Sequence, residues 1–254
     1  MLFIKSSIFY KQYYGVLKKF DPTLRCLQFV PFMKQQNPAL LLAFIIPVFI
    51  SCAHLPKGDK AIVTAQQTTA LQNATAKFAI DTANTYIRFT GHGAGQNHSG
   101  RFHLLDGNIS TNNNVIAGGR FTISIASMQI EQPEEIYQTK LKRHLLSHDF
   151  FDTANWRTAT FELTQVKPYA STSNDSSVVA GANYLVSGNL TLKGVTKNIT
   201  FPAKIDIAEN TLNALANFNI DRTQWGMYYG SDKALGDKFI SPQVNIQLNL
   251  KTVQ

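Results

Sequence analysis

Cysteine is nearly absent: among 254 residues only Cys26 and Cys52 carry a thiol. Both precede the part of the chain with regular patterning, so a disulfide framework is excluded there, and a cysteine zinc cluster is excluded by count. A basic patch is missing as well. The net charge is +8, yet through Lys60 eight Lys or Arg face only Asp21 and Asp59, while beyond it 16 basic residues meet 14 acidic ones. Nucleic-acid binders concentrate charge on the binding face, so no nucleic-acid partner is expected. No Gly-rich phosphate loop follows a strand and opens a helix, which leaves nucleotide binding without support.

What the beginning of the chain does contain is a targeting pattern. Met33-Lys34 opens a charged start, Ala39 to Ile50 form an apolar run of 12, and Ser51-Cys52 follow. Twelve residues are too few to span a bilayer and suit a signal-peptide core. Residues 1–51 are therefore expected to be leader and lipoprotein signal peptide, with Met33 a better start than Met1. Phe49-Ile50-Ser51-Cys52 resembles a bacterial lipobox, which implies cleavage before Cys52 and lipidation of its sulfur. Several acyl chains on one residue give a stable anchor. Ala53 after the cysteine resembles the pattern of outer-membrane sorting, so the expected place is the periplasm-facing cell envelope. A soluble secreted protein is the alternative. Residues 52–76, rich in Ala, Thr, Gln and Lys, read as a flexible lipidated tether.

From residue 77 to 254 the dominant period is two. Phe121, Ile123 and Ile125 alternate with polar residues, as do Phe161 and Leu163, Val186, Leu190 and Leu192, and Ile199 through Ile207. Leu212, Ala214, Ala216, Phe218 and Ile220 continue the pattern, then Val244 through Leu250. This is the strand signature with one apolar face. Asp106-Gly107, Gly118-Gly119, Ser171 to Ser177 and Glu209-Asn210 are the expected turns. One segment breaks the period: Glu134 to Leu146 places Ile136, Tyr137, Leu141 and Leu145 at helical spacing, behind Pro133 and ahead of Lys142, Arg143 and His144. One short helix is predicted there, packed on or plugging the sheet.

Strands with a single apolar face bury it most simply by closing into a barrel, which also removes exposed edges. The expected fold is all-β: an extended antiparallel eight-stranded barrel with one short helix, in one domain over 77–254. Small inward residues such as Ala203, Ala214, Ala216 and Gly188 would leave a tube or would make room for large neighbours. Periodicity leaves both readings open, the filled core slightly ahead.

Three segments bear on that choice: His144-Leu-Leu-Ser-His-Asp-Phe-Phe-Asp152; Gly188-Asn-Leu-Thr-Leu-Lys-Gly-Val-Thr-Lys197, running into Ile199-Thr-Phe-Pro-Ala203; and Asp221-Arg-Thr-Gln-Trp-Gly226. With Phe78-Ala-Ile-Asp81 and Gly100-Arg-Phe102 they resemble, in content and order, the YceI-like family of periplasmic lipocalin-like barrels. The likeness covers about residues 77–252. It implies a barrel enclosing a polyisoprenoid chain and no catalytic residues. Two places depart from the family pattern, Trp156-Arg157 and the Gly- and His-rich stretch Gly91 to Gly100, and both are expected to reshape the pocket mouth.

On this reading the protein binds a long isoprenoid-like or fatty lipid, is not an enzyme, and needs no cofactor beyond that ligand. The ligand-lining residues are Phe121, Ile123, Ile125, Phe161, Leu163, Val186, Leu190, Leu192, Phe201, Ala214, Ala216, Phe218 and Trp225. A homodimer is left open. Two alternatives stand: a stress-related or structural envelope protein with a filled barrel, and an enzyme acting on such a lipid. His144 and His148, four apart, are a weak metal motif; surface or structural histidines are the stronger reading, and no metal site is assigned. Asp149 and Asp152 read as turn and cap residues around Phe150-Phe151. Asp221-Arg222 with Trp225, and Tyr228-Tyr229 beside them, is either a polar clamp on a ligand or a brace at a barrel end.

Overall fold

The computed structural model describes residues 55–69, 74–93, 95–172, 176–208 and 211–253. The expected signal peptide, Cys52 and the turn at Glu209-Asn210 lie outside these residues. The strands, in chain order, are β1 (Asp59–Lys60), β2 (Ile62–Ala65), β3 (Ala76–Ile80), β4 (Tyr86–Gly93), β5 (Gln96–Asn112), β6 (Val115–Ile130), β7 (Thr158–Pro168), β8 (Tyr184–Leu192), β9 (Val195–Ile207), β10 (Leu212–Asp221) and β11 (Ile240–Val253).

From β5 to β11 each strand pairs antiparallel with the next. The wall closes because β3 and β4 share one position, each pairing with β5 on one side and β11 on the other. The result is the expected eight-stranded antiparallel barrel. The apolar set of each strand faces the interior. Buried Phe89, Phe102, Phe121, Val186, Phe201, Phe218 and Leu250 belong to one continuous core cluster.

The helix falls where it is predicted but with a looser first turn. A π-turn over Tyr137–Leu141 leads into α1 (Lys142–Leu146). Tyr137, Leu141 and Leu145 pack against the core, whereas Ile136 is 41% exposed, so it does not share the buried face. The wider π pitch shifts which residues stack on one side.

Two expected turns are not turns. Asp106-Gly107 and Gly118-Gly119 lie inside β5 and β6, next to register shifts in their ladder. The glycines are there for close packing: a Cβ on Gly107 would stand 2.9 Å from the side chains of Ile80 and Phe121, and one on Gly119 2.8 Å from Leu163. The real β5–β6 turn is Asn113-Asn114, with φ of 50° and 62°, the paired left-handed conformations of a tight hairpin.

The tether is also corrected in part. Within it, Asp59–Lys60 and Ile62–Ala65 are strand, not flexible linker. β1 runs parallel to β10 and β2 antiparallel to β9. Direct β9–β10 pairing covers only Ala203–Ile207 against Leu212–Ala216. Beyond that point the two strands part, and their free backbone groups need partners. The Ile-Val-Thr sequence of β2, with good strand propensity, supplies them.

Candidate functional site

Register decides which residues line the lumen. Phe121 opposes Phe161, Phe161 opposes Leu190, and Val186 opposes Phe201. Ala216 sits between Ala203 and Leu248, and Phe218 opposes Ile246. Of the expected lining residues, Phe121, Ile123, Ile125, Val186, Leu190, Leu192, Phe201, Ala214, Ala216, Phe218 and Trp225 are buried in the core cluster, with Phe161 and Leu163 partly buried against it. The structure thus brings the whole set into one interior. The β4–β5 part of the lining, Phe89, Phe102 and Leu104, was not on that list. Gly91, His92 and Gly93 interrupt the alternation there and hide the period.

The lumen is apolar and unevenly filled. Phe201 and Phe218 stack with centroids 4.0 Å apart, and Phe161 lies 6.0 Å from Phe201 and 6.2 Å from Phe121. Gly188 makes this possible, since a Cβ there would sit 2.3 Å from the Phe161 ring. On other strands Val166, Val244, Ile246 and Leu248 keep partial accessibility although their register partners are interior residues.

The three signature segments meet at one end of the barrel. Phe151 reaches Phe102 of β5 edge-on at 5.5 Å, while Phe150 lies under the Arg222 guanidinium, 5.3 Å from its ring centre, so the segment between α1 and β7 spans the barrel end. Lys193 Nζ donates to the His148 carbonyl at 2.6 Å. Arg222, 4% exposed, donates to the carbonyls of Ser241 (3.1 Å), Tyr229 (2.8 Å), Ile240 (2.9 Å) and Met227. Asp221 turns away to cap Thr223, accepting from its N–H at 2.9 Å and its hydroxyl at 2.6 Å. Trp225 is fully buried, and its indole N–H donates to the Leu190 carbonyl at 3.0 Å. The arrangement is a brace: the Arg222 fork and the Trp225 indole are engaged by backbone oxygen, and Asp221 is engaged by Thr223. Burial holds the Arg222 guanidinium below its usual range, against the pull of Asp221, but four acceptors suit its charged fork.

The two spaced histidines share one carboxylate. His144 Nε2 lies 3.2 Å and His148 Nε2 3.4 Å from opposite oxygens of Asp149, and the His144 ring packs against Tyr229 and Phe150. Asp152 adopts φ of 50°, with its carbonyl accepting from Asn155 and Trp156, as a turn residue does. Tyr228 is 65% exposed, whereas the Tyr229 ring packs on His144 and Phe150. Trp156 covers Gly194 in the β8–β9 turn, so this departure from the family pattern acts at the braced end.

Near the same end, His98 of β5 shares the face of Gly100 and Phe102 and stands 5.2 Å from the Tyr137 ring. Its Nδ1 is buried with no hydrogen-bond partner. Burial first, and the nearby His92 second, hold the His98 imidazole below the ordinary histidine value. The stretch Gly91 to Gly100 is the tip of the β4–β5 hairpin, where His92 Nδ1 meets its register partner Asn97 at 2.9 Å.

Comparison with known proteins agrees with this architecture. A family model described as the YceI-like domain matches residues 78–252. A UPF0312 protein of Vibrio vulnificus is 30% identical over 132 residues, 51% of this chain and 62% of the relative. Protein YceI of Escherichia coli is 30% identical over 106 residues, 42% of this chain and 48% of the relative. The chain thus spans about half to three-fifths of the length of these relatives. Among solved structures, Burkholderia cenocepacia BcnA superposes with a TM-score of 0.52 at 19% identity, covering 68% of this chain and 98% of that one. A polyisoprenoid binding domain from Saccharophagus degradans gives 0.50 at 16% identity, covering 69% and 97%. With a match that takes in every strand from β4 to β10 and a barrel of the same construction, the chain belongs to the YceI-like family.

Proposed function

We propose that this protein holds a long, apolar, isoprenoid-like lipid inside its barrel, as a binding protein and not an enzyme. The observation that carries the reading is the partial accessibility of Val166, Val244, Ile246 and Leu248 on the inward face of a closed wall. The described similarity to a polyisoprenoid binding domain supports it. Each buried methylene is worth roughly 0.8 kcal/mol, so one five-carbon unit contributes on the order of 3–4 kcal/mol before entropy costs. A few units suffice, and no charged anchor is required.

We further propose that the barrel works at the periplasmic side of the envelope, anchored through Cys52, in lipid storage, transport or stress protection. Organic extracts of protein purified from a Gram-negative host, analysed by mass spectrometry, test the ligand. A long-chain lipid in near-stoichiometric amount is expected; an extract empty of any such lipid refutes the carrier reading. Cys52→Ser is expected to lose acyl mass and leave the membrane fraction, and a wild-type chain without acyl groups refutes the anchor.

The second reading, a filled barrel with a structural role, draws on the ring series Phe121, Phe161, Phe201 and Phe218. Those rings crowd the β6–β10 side, while the accessible Val244, Ile246 and Leu248 lie on β11, the strand that follows it in the wall.

A further inference from the structure

The segment from Lys57 to Gln67 lies outside the family match at residues 78–252, yet it completes the barrel wall. It enters where β9 and β10 part. The last direct pair of those strands is Ala203 with Ala216, and the next inward residues, Phe201 and Phe218, stack at 4.0 Å across the fork. Past the fork, β10 pairs with Asp59 and Lys60 and β9 with Ile62 to Ala65. Ala61, between them, is buried in the core and donates its N–H to the Asn219 carbonyl at 3.1 Å. Residues 59–65 are therefore part of the wall itself, while Lys57, Gly58 and Gln67 at the two ends rest on outward-facing Asn217, Asn219 and Asn189.

Its attachment is mostly polar. Asn189 clasps Gln67 on both sides, accepting from its N–H at 3.0 Å and donating to its carbonyl at 2.7 Å. Asn217 and Asn219 donate to the carbonyls of Lys57 and Gly58. Asp59 accepts from the Ser177 hydroxyl at 2.6 Å and the Val178 N–H at 3.0 Å. Little apolar surface is committed: Ile62 is 63% exposed, and Ala61 is the segment's single fully buried apolar residue. Elements with few buried apolar contacts open at lower free energy than the core they border.

Resting on the lipid-carrier reading above, we propose that residues 57–67 are a detachable wall strand, and that the slit between β9 and β10 is a lateral portal for an apolar lipid. When the strand leaves, the barrel keeps its brace and its β9–β10 pairing over five residue pairs, and the slit opens directly onto the Phe201–Phe218 level of the lumen. The segment between α1 and β7 covers that end of the barrel and obstructs axial entry there. Only four residues lie between Cys52 and Lys57, and the five steps reach at most about 18 Å. If Cys52 is acylated, the portal strand stays close to the bilayer that supplies the lipid.

The test locks the strand. Ile62 and Thr200 are direct antiparallel partners on the outer face, a spacing that a disulfide spans. Full-length Ile62→Cys/Thr200→Cys protein, immobilised and loaded with radiolabelled farnesol, is mixed with phosphatidylcholine acceptor vesicles. Oxidation is expected to slow farnesol transfer at least about tenfold, with dithiothreitol restoring it, because closing a portal changes rates in both directions and leaves affinity alone. Asp59→Ala and Asn189→Ala, which remove side-chain anchors of the strand, are expected to speed transfer. Transfer at equal rates in the oxidised and reduced forms, with farnesol bound in both, overturns the portal alone. Wild-type protein that takes up no farnesol overturns the carrier reading and the portal with it.

Discussion

Arg222→Ala is the sharpest probe of the braced end. The guanidinium is buried and donates to four backbone carbonyls, those of Met227, Tyr229, Ile240 and Ser241, from the turn after β10 and the start of β11. Truncation leaves the buried Met227 acceptor unsatisfied, at about 1–3 kcal/mol. The other three carbonyls are partly buried and regain water at a smaller loss. The stacking over Phe150 adds roughly 0.5–1 kcal/mol. A total near 4 kcal/mol is expected, which for a domain of this size is a fall in Tm of about 8–16 °C. Calorimetry or urea unfolding reads it directly. Arg222→Lys should recover only part, since one ammonium cannot reach four acceptors arranged for a planar fork. Asp221→Asn should change little, because Asp221 caps Thr223 and makes no ion pair with Arg222. A loss below about 1 kcal/mol in Arg222→Ala, combined with loss of bound lipid, refutes the brace and makes Arg222 a ligand clamp.

Other expectations are narrower. Ala216→Phe, placed between Ala203 and Leu248, should expel lipid while the protein folds; if the lumen is filled instead, the extra ring costs about 1–3 kcal/mol and lipid content does not change. His98 gives a pH signature. Its folded pKa is depressed, so as pH falls through about 6.5 the unfolded chain binds a proton that the folded chain does not, and stability falls with it. His98→Leu should flatten that slope, read as the urea midpoint at about pH 7.5 and about pH 5.5; an unchanged slope refutes the assignment. Glu131 acts in a lower window: partial burial raises its pKa, but Arg88 and Arg101 outweigh that and leave it lowered, so its stabilisation is lost only in acid. Elemental analysis should find less than about one metal per ten chains, and chelator should leave Tm unchanged; a stoichiometric metal lost in His144→Ala refutes this.

The inward faces of β6 to β10 were legible because side chains alternate along a strand by covalent geometry, so Phe121, Ile123, Phe161, Phe201 and Phe218 declare a common side without reference to anything distant. The helix near residues 137–146 was legible for the same reason, from a change of period. The signature segments were visible as motifs, but their job was not. Asp221-Arg222 leaves a ligand clamp and a brace both open, and only the folded chain brings Ser241 and Ile240 close enough to take the Arg222 donors.

Glycine misled for a physical reason. Gly107 and Gly119 have the composition of turns, but the demand that selects them is the approach of Phe121, Ile80 and Leu163 from other strands. No local pattern records that approach. The stretch before the barrel misled more: polar and small residues suit a free tether, and its strand state depends on the open edges of β9 and β10 and on Asn189, 122 positions away from Gln67. Short-range propensity determined that there would be strands, which face of each is apolar, and where one helix interrupts them. Tertiary structure alone decided which polar groups brace one end and which segment closes the last seam, because hydrogen bonds between residues far apart in sequence exist only once the barrel has brought their partners together.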